Sequence, residues 1–554
     1  MQAKYILKYF LNGVEQCSEG MENEHYTITA DKGDGTLNVT ITPKTYLELK
    51  TLTVEFPYEF GENDAFFAGG YQSWTKTREY KRDDIQRRSI KLADMSELTS
   101  TMAKLTGDEW FVEYSEKPGE FISHCYTYVK NEKGICLLGS IDEKQGFTYF
   151  KVKMRENIFT INKDLEGKTI SQPITPLKMV YLQGDYEDVF DKYFAHFPAS
   201  KHKDELMVGY TSWYNYFQKI DEDIILRDLD GLDFAQDKVS IFQIDDGYET
   251  FVGDWTDDNP KDFPHGMKYI ADKIHEKGYK AGIWLAPFNC QRVSKIAKEH
   301  PDWLVRKANG HKMLGCIAWG GAYTLDIYNP EVREHLKKVF DTVLNVWGFD
   351  MVKLDFLYSE CIIPRENKSR GEIMCEAMEF LRECCGDKLI LGCSVPLGTS
   401  FGIVDACRIS CDVDLNYSGQ FYSRMQVSNE MLSARSAINN SIFRRHLNGR
   451  VFMNDPDVFF LRNDNLKFTE EQKLLLAKIN NLCGNVLFIS DNAGFYDENQ
   501  RNLLLKYFTK TDEKIIAADY IDKDVIRLKV QDGSQIKTLT FNLEKGKVLK
   551  GYKA

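Results

Sequence analysis

The pattern of apolar and polar positions changes twice along the chain. Up to about Ala199 the two alternate. The stretches HYTITADKGDGTLNVTITPKTYLELKTLTVEF, CYTYVKNEKGICLLGSI and FTYFKVKMRENIFTINKDL run with period two and are broken by Gly and Asp turn signals. That pattern predicts antiparallel strands packed as a β-sandwich. A helix from about Tyr186 to Phe197 leads out of it, and FPASKH reads as a boundary.

From about Met207 short apolar runs alternate with helical patterns. The candidate strands are 207–213, 239–245, 280–288, 349–356, 388–395, 405–410, 450–455 and 485–490. Between most of them lie helical stretches. One ends on Gly278, one starts on Pro330 and ends on Gly348, and two more close on a Gly, as helix start and stop signals lead one to expect. Eight strands, most followed by a helix, predict a (β/α)8 barrel. A doubly wound open sheet has the same rhythm, but no Gly-rich phosphate turn follows the first strand. After about Ala493 alternation returns, with Asp-Gly and Lys-Gly turns, and predicts a small antiparallel β-sandwich. The expected layout is multidomain: an N-terminal β-sandwich with its linking helix over 1–200, a TIM barrel over 201–492 and a C-terminal β-sandwich over 493–554.

Composition narrows the function. The chain has 554 residues, 43% of them hydrophobic, enough to bury large cores. Its net charge of −12 and the absence of a basic stripe argue against nucleic acid as a partner. No apolar run is long enough to span a bilayer or to serve as a signal peptide. The 13 cysteines are irregularly spaced, which suggests a reducing, cytoplasmic protein and not a disulfide framework. Cys407 and Cys411 have no partner pair at zinc spacing, so no metal is expected.

In a barrel, chemistry collects at the C-terminal ends of the strands. Asp245 and Asp246 end the second, Trp284 lies on the third, Lys353 and Asp355 on the fourth and Cys393 on the fifth. Arg408 and Asp412 follow from the sixth, Asp455 and Asp457 from the seventh and Asp491 from the eighth. Two carboxylates across one cleft are the minimum for glycoside cleavage, one to attack or activate water and one to protonate the leaving oxygen. Lys353 and Asp355 are two apart and share a face; on residues alone they are equally a buried ion pair. Asp414 is as good a candidate as Asp412 by position. Trp213 and Trp284 suit a sugar face, or packing.

The ordered motifs YTSWYNYF, FQIDDGYE, GIWLAPF, VKLDFLY, LGCSVPLG with DACRISCD, and MNDPDVFFLR resemble the α-galactosidases (melibiases) of glycoside hydrolase family 36. GGYQSW at 69–74 belongs to the same resemblance. It implies retaining hydrolysis of terminal α-galactosides such as melibiose and raffinose, with no metal or cofactor. It makes Asp355 the nucleophile and Asp412 the acid/base. Asp245 and Asp246 would hold the outer hydroxyls. Trp213, Tyr214 and Trp284 match wall aromatics, Lys353, Cys393 and Arg408 match residues around the ring, and Trp74 matches a residue reaching in from the sandwich. The segment VDLNYSG after Asp412 departs from the family's Pro-rich continuation. The competing expectations are an α-N-acetylgalactosaminidase, a galactosyl-transferring relative, and a sugar-binding protein without catalysis.

Overall fold

A computed structural model describes residues 3–90, 103–420 and 432–550. The N-terminal region forms two seven-stranded antiparallel sheets. One core lies between them and contains Leu7, Val54, Phe121, Phe150 and Phe159 from one sheet and Phe66, Val129, Leu138 and Met179 from the other. The neighbours of those last four, Phe67, Tyr128, Leu137 and Val180, point the other way, into the core shared with the barrel. Period two thus explains why strand Ala65–Ala68 is apolar throughout: it is buried on both faces.

All eight expected barrel strands are present: Met207–Thr211, Ile241–Ile244, Lys280–Leu285, Met351–Leu354, Leu389–Gly392, Ala406–Arg408, Met453–Asp455 and Val486–Ile489. Each pairs in parallel with the next through the seventh. Val458–Phe459, which continues the seventh beyond Pro456, pairs with the eighth, and the eighth pairs with the first. The ring therefore closes. The helix Pro330–Asp341 begins on Pro330 after an Asn329 cap, as expected.

The structure departs from a full set of barrel helices in one place and corrects the sequence reading in two. First, among the described residues the link from the fifth to the sixth strand, where the sequence signalled no helix, holds only a short 3₁₀ turn, Leu397–Thr399. The helix Tyr186–Phe194 and the turn after it pack there instead, with Phe194 and Phe197 meeting Phe401 at 5.5 and 5.1 Å. Second, Glu498–Tyr507 is an α-helix with an Asp497 capping box, so the barrel rhythm continues past Ala493. Third, the C-terminal strands form one four-stranded antiparallel sheet in place of the expected sandwich. Ile526, Leu528 and Val530 on its buried face join the barrel core, so barrel helices supply the second layer. No helix among the described residues is long and apolar enough to cross a membrane.

One buried cation fixes the N-terminal region over the barrel mouth. Arg444 is 1% exposed and donates to the carbonyls of Gln72 (2.8 Å), Ser73, Thr75 (3.1 Å) and Ile409 (2.8 Å). It joins the 70–75 loop to the end of the sixth strand. A charge at that depth persists only because its donors are satisfied.

Candidate active site

The strand ends bring the candidate carboxylates to one mouth. Asp355 follows the fourth strand and is 6% exposed. Its Oδ1 accepts from Ser394 Oγ at 2.6 Å and from the Phe356 N–H at 2.7 Å, and its Oδ2 accepts from Trp284 Nε1 at 3.3 Å. Phe356 and Ser394 both have left-handed backbones, with φ of 53° and 46°. Non-glycine residues in that region are costly, and here the turns deliver two of the three donors to Asp355.

Lys353 lies on the same strand face and binds Asp245 Oδ2 at 2.9 Å. Gln243 and Thr211 donate to the same oxygen, at 2.8 and 3.2 Å. Burial works against the Lys353 charge, but the Asp245 carboxylate more than offsets it and raises the amine above its ordinary value. The Lys–Asp pair expected on the fourth strand is therefore made across strands, to the second strand, and Asp355 keeps separate donors. Asp246 takes Trp319 Nε1 at 2.8 Å and Gln218 Nε2 at 3.1 Å. Burial raises its pKa, and hydrogen bonds from Glu249, Trp319 and Gln218 oppose that rise. Glu249, buried beside it, is pushed well up by burial and by the Asp246 charge.

Arg408 organises the other side. Its guanidinium donates to Asp412 Oδ1 at 2.8 Å and Asp455 Oδ2 at 2.9 Å, and lies 2.9 Å from Asp457 Oδ1. Tyr214 donates its hydroxyl to Asp457. Three carboxylates on one cation cannot all be fully compensated in a buried site. Burial, with Asp412 and Asp455 adding to it, pushes Asp457 up to about 7 against the pull of Arg408. Burial also raises Asp412; Arg408 and Lys353 oppose this, and the Asp355 charge adds to it. The Asp412 side chain keeps 19% exposure, so the mouth opens on its side. Asp414 accepts from the Asn416 N–H at 2.9 Å and Gln420 Nε2 at 2.8 Å, which makes it a loop cap away from Arg408.

Of the remaining expected residues, Trp284 packs between Trp255 and Trp319 at 5.7 and 5.9 Å. Cys393 is fully buried, and burial followed by the Asp355 charge pushes its thiol well up, so it presents a neutral, apolar surface. Trp74 reaches the mouth from the N-terminal loop and meets Phe356 edge-on at 6.0 Å. Trp213 stands at the rim, partly exposed and edge-on to Phe217 at 5.2 Å. The sequence reading missed Trp319, Glu249, Gln218 and Ser394. Among the described residues no group of three or more His, Cys, Asp or Glu is arranged to hold a metal.

The melibiase family model matches residues 202–373, the stretch that carries Asp245, Asp246, Lys353 and Asp355. Curated relatives align with part of the chain. One is a blood-group-A α-D-galactosamine galactosaminidase of Flavonifractor plautii, 31% identical over 166 residues, 27% of this chain and 15% of that protein. Another is α-galactosidase 1 of Pediococcus pentosaceus, 28% identical over 176 residues, 28% of this chain and 23% of that protein. The matched stretch is thus less than a quarter of either relative. By structure the likeness extends well beyond the matched residues. The α-galactosidase TtGalA of Thermus thermophilus, solved with stachyose, superposes with a TM-score of 0.70 at 24% identity, covering 91% of this chain and 99% of that one. The family 36 α-galactosidase AgaA of Geobacillus stearothermophilus gives 0.60 at 12% identity, covering 98% and 78%. At such identities the likeness establishes the fold: a TIM-like barrel with β-sheet domains.

Proposed function

We propose that the chain is a retaining α-galactosidase that removes terminal α-galactosyl units from small oligosaccharides such as melibiose and raffinose. One observation carries this reading: two carboxylates of one mouth have opposite surroundings. Asp355 is enclosed and accepts three hydrogen bonds. Asp412 is open to the leaving-group side and has a raised pKa. In the first step an Asp355 oxygen bonds to the anomeric carbon as the glycosidic C–O bond breaks, and Asp412 gives its proton to the departing oxygen. In the second step Asp412 takes a proton from water, whose oxygen displaces Asp355. Two inversions leave the configuration unchanged.

Asp245 and Asp246 would accept from the outer hydroxyls, the axial O4 included, with Trp284 and Tyr214 as walls and Lys353, Cys393 and Arg408 around the ring. Trp74 and Trp213 would border the leaving unit. A buried carboxylate left unpaired by an equatorial O4 disfavours glucose. The galactosaminidase among the relatives supports a second reading, a 2-amino or 2-acetamido galactoside as substrate. The layout 1–200, 201–492 and 493–554, the last opening on the eighth barrel helix, belongs to the same proposal. So does a cytoplasmic setting, which the thirteen cysteines support.

The test is proton NMR of nitrophenyl α-galactoside hydrolysis, with α-glucoside and α-GalNAc analogues alongside. The α-anomer of galactose should form first, and the galactoside should have the highest kcat/KM. A first-formed β-anomer rejects the mechanism, and a faster GalNAc analogue selects the second reading.

A further inference from the structure

We propose that a basic cavity on the outer side of Trp319 receives an oxyanion carried by the leaving unit of the substrate. The proposal rests on the α-galactosidase reading of the adjoining pocket and adds a substrate class to it: α-galactosides whose leaving sugar bears a phosphoryl or carboxylate group. The cavity, about 600 Å³, is lined by Gln291, Arg292, Lys298, Lys312, Trp319 and Tyr323 together with small and apolar residues, and no carboxylate faces it. That is unusual in a chain whose net charge is −12. Neighbouring cations are matched. Lys295 pairs with Asp257, and Arg306 donates to the carbonyls of Gly310 and Pro301 at 2.9 and 3.0 Å. Among the described residues no carboxylate pairs with Arg292, Lys298 or Lys312, and Lys312 lies over the Tyr323 ring at 5.0 Å. Three unmatched cations around one concavity concentrate positive potential and suit an oxyanion.

The cavity is one indole away from the catalytic pocket. Trp319, Gly320 and Gly321 have φ of 56°, 74° and 101°, three left-handed residues in succession. The Gln291 side chain pins this turn by donating to the Trp319 carbonyl at 3.1 Å, and the Arg292 N–H donates to the Gly321 carbonyl at 3.2 Å. A Cβ at Gly321 would come within 3.2 Å of the Arg292 side chain, so the turn and the Arg292 stem are packed together. Trp319 is thereby held as a partition. On its inner side Nε1 reaches Asp246, and the ring meets Phe356, next to Asp355, at 4.9 Å. Phe356 in turn meets Trp74, the residue set to border the leaving unit, at 6.0 Å, so the Trp319 ring adjoins that unit's side as well as Asp246. An oxyanion on the galactosyl ring would face the Asp246 carboxylate and be repelled, so the charge belongs on the leaving unit.

The experiment compares kcat/KM for melibiose, melibionate and melibiose 1-phosphate in the wild type and in Arg292→Gln/Lys312→Gln. Equilibrium titration of the same sugars gives the preference in binding. Nitrophenyl α-galactoside turnover, measured in parallel, tests the α-galactosidase reading by itself. The charged disaccharides should be favoured about ten-fold over melibiose at low salt. That preference should shrink as salt screens the cations, and should vanish in the double variant while nitrophenyl galactoside turnover stays within about two-fold. Melibionate or melibiose 1-phosphate as the better substrate identifies the oxyanion as carboxylate or phosphoryl. Equal or weaker use and binding of both charged sugars overturns the proposal, as does a preference that survives the double variant. A preference confined to nitrophenyl α-galactoside 6-phosphate overturns the placement on the leaving unit.

Discussion

The two sides of the barrel mouth use the same residue type under opposite conditions. On the side of the fourth and fifth strands, Asp355 is enclosed, and a serine, an indole and a backbone N–H donate to it. On the side of the sixth and seventh strands, Asp412, Asp455 and Asp457 share Arg408, and burial raises the pKa of Asp412 and Asp457. Donors without competing anions make a carboxylate an acceptor with a fixed direction. Anions crowded on one cation make a carboxyl group that keeps its proton longer. On the proposed assignment, the environment and not the residue divides nucleophile from acid.

The sharpest way to break that division is to remove the enclosed carboxylate. Asp355→Ala should lower turnover of nitrophenyl α-galactoside by about 10⁴-fold with the fold intact by circular dichroism. Added azide should restore part of the rate and yield β-galactosyl azide, because the anion occupies the vacated side of the ring. Wild-type turnover in this variant would remove Asp355 from the mechanism.

Loss of the crowded carboxylate should depend on the leaving group. Asp412→Ala should slow melibiose cleavage by about 10²–10⁴-fold, the usual contribution of general acid catalysis, and slow nitrophenyl galactoside cleavage much less. Because the Asp412 pKa is raised, the protonated acid survives to higher pH than an ordinary carboxyl. Melibiose kcat should fall as pH rises through that raised value, and this alkaline limb should be absent from the residual rate of the variant. Equal losses on both substrates, or an unchanged limb, would place the acid elsewhere.

This contrast between the two sides was only partly legible in the sequence. The eight strands showed because short apolar runs ended in polar residues, and the structure keeps every one of them. Asp245, Lys353, Asp355 and Arg408 showed because strand ends share a face of the barrel, whereas Asp412 was separated from Asp414 only by the family resemblance. Trp319 did not, because its place depends on three left-handed residues that carry an indole to a carboxylate 73 residues away in sequence. Glu249 did not, because a carboxyl buried against another carboxyl looks in sequence like any surface acid. The C-terminal alternation correctly implied one buried face on Val525–Asp532, but period two does not say whether a second sheet or a barrel helix covers it. The Arg408 cluster showed as separate Asp residues, and its coupling through one guanidinium arises only when the sixth and seventh strands pair.

The smallest expected effect concerns Asp414, two residues beyond Asp412 and indistinguishable from it by composition. Its Oδ1 accepts from the Asn416 N–H and the Gln420 side chain, and Arg408 does not reach it. Burial raises its pKa, as it does that of Asp412, so a shifted pKa alone would not separate the two. Geometry does: one carboxyl lies on the guanidinium that spans the mouth, and the other closes a turn. Asp414→Ala should leave kcat within about two-fold on both melibiose and nitrophenyl galactoside and cost about 0.5–2 kcal/mol of stability through the lost turn hydrogen bonds. Thermal unfolding and the two rates measured on one preparation decide the matter. A leaving-group dependence in the Asp414 variant, with none in the Asp412 variant, would reverse the assignment and move the acid to the turn.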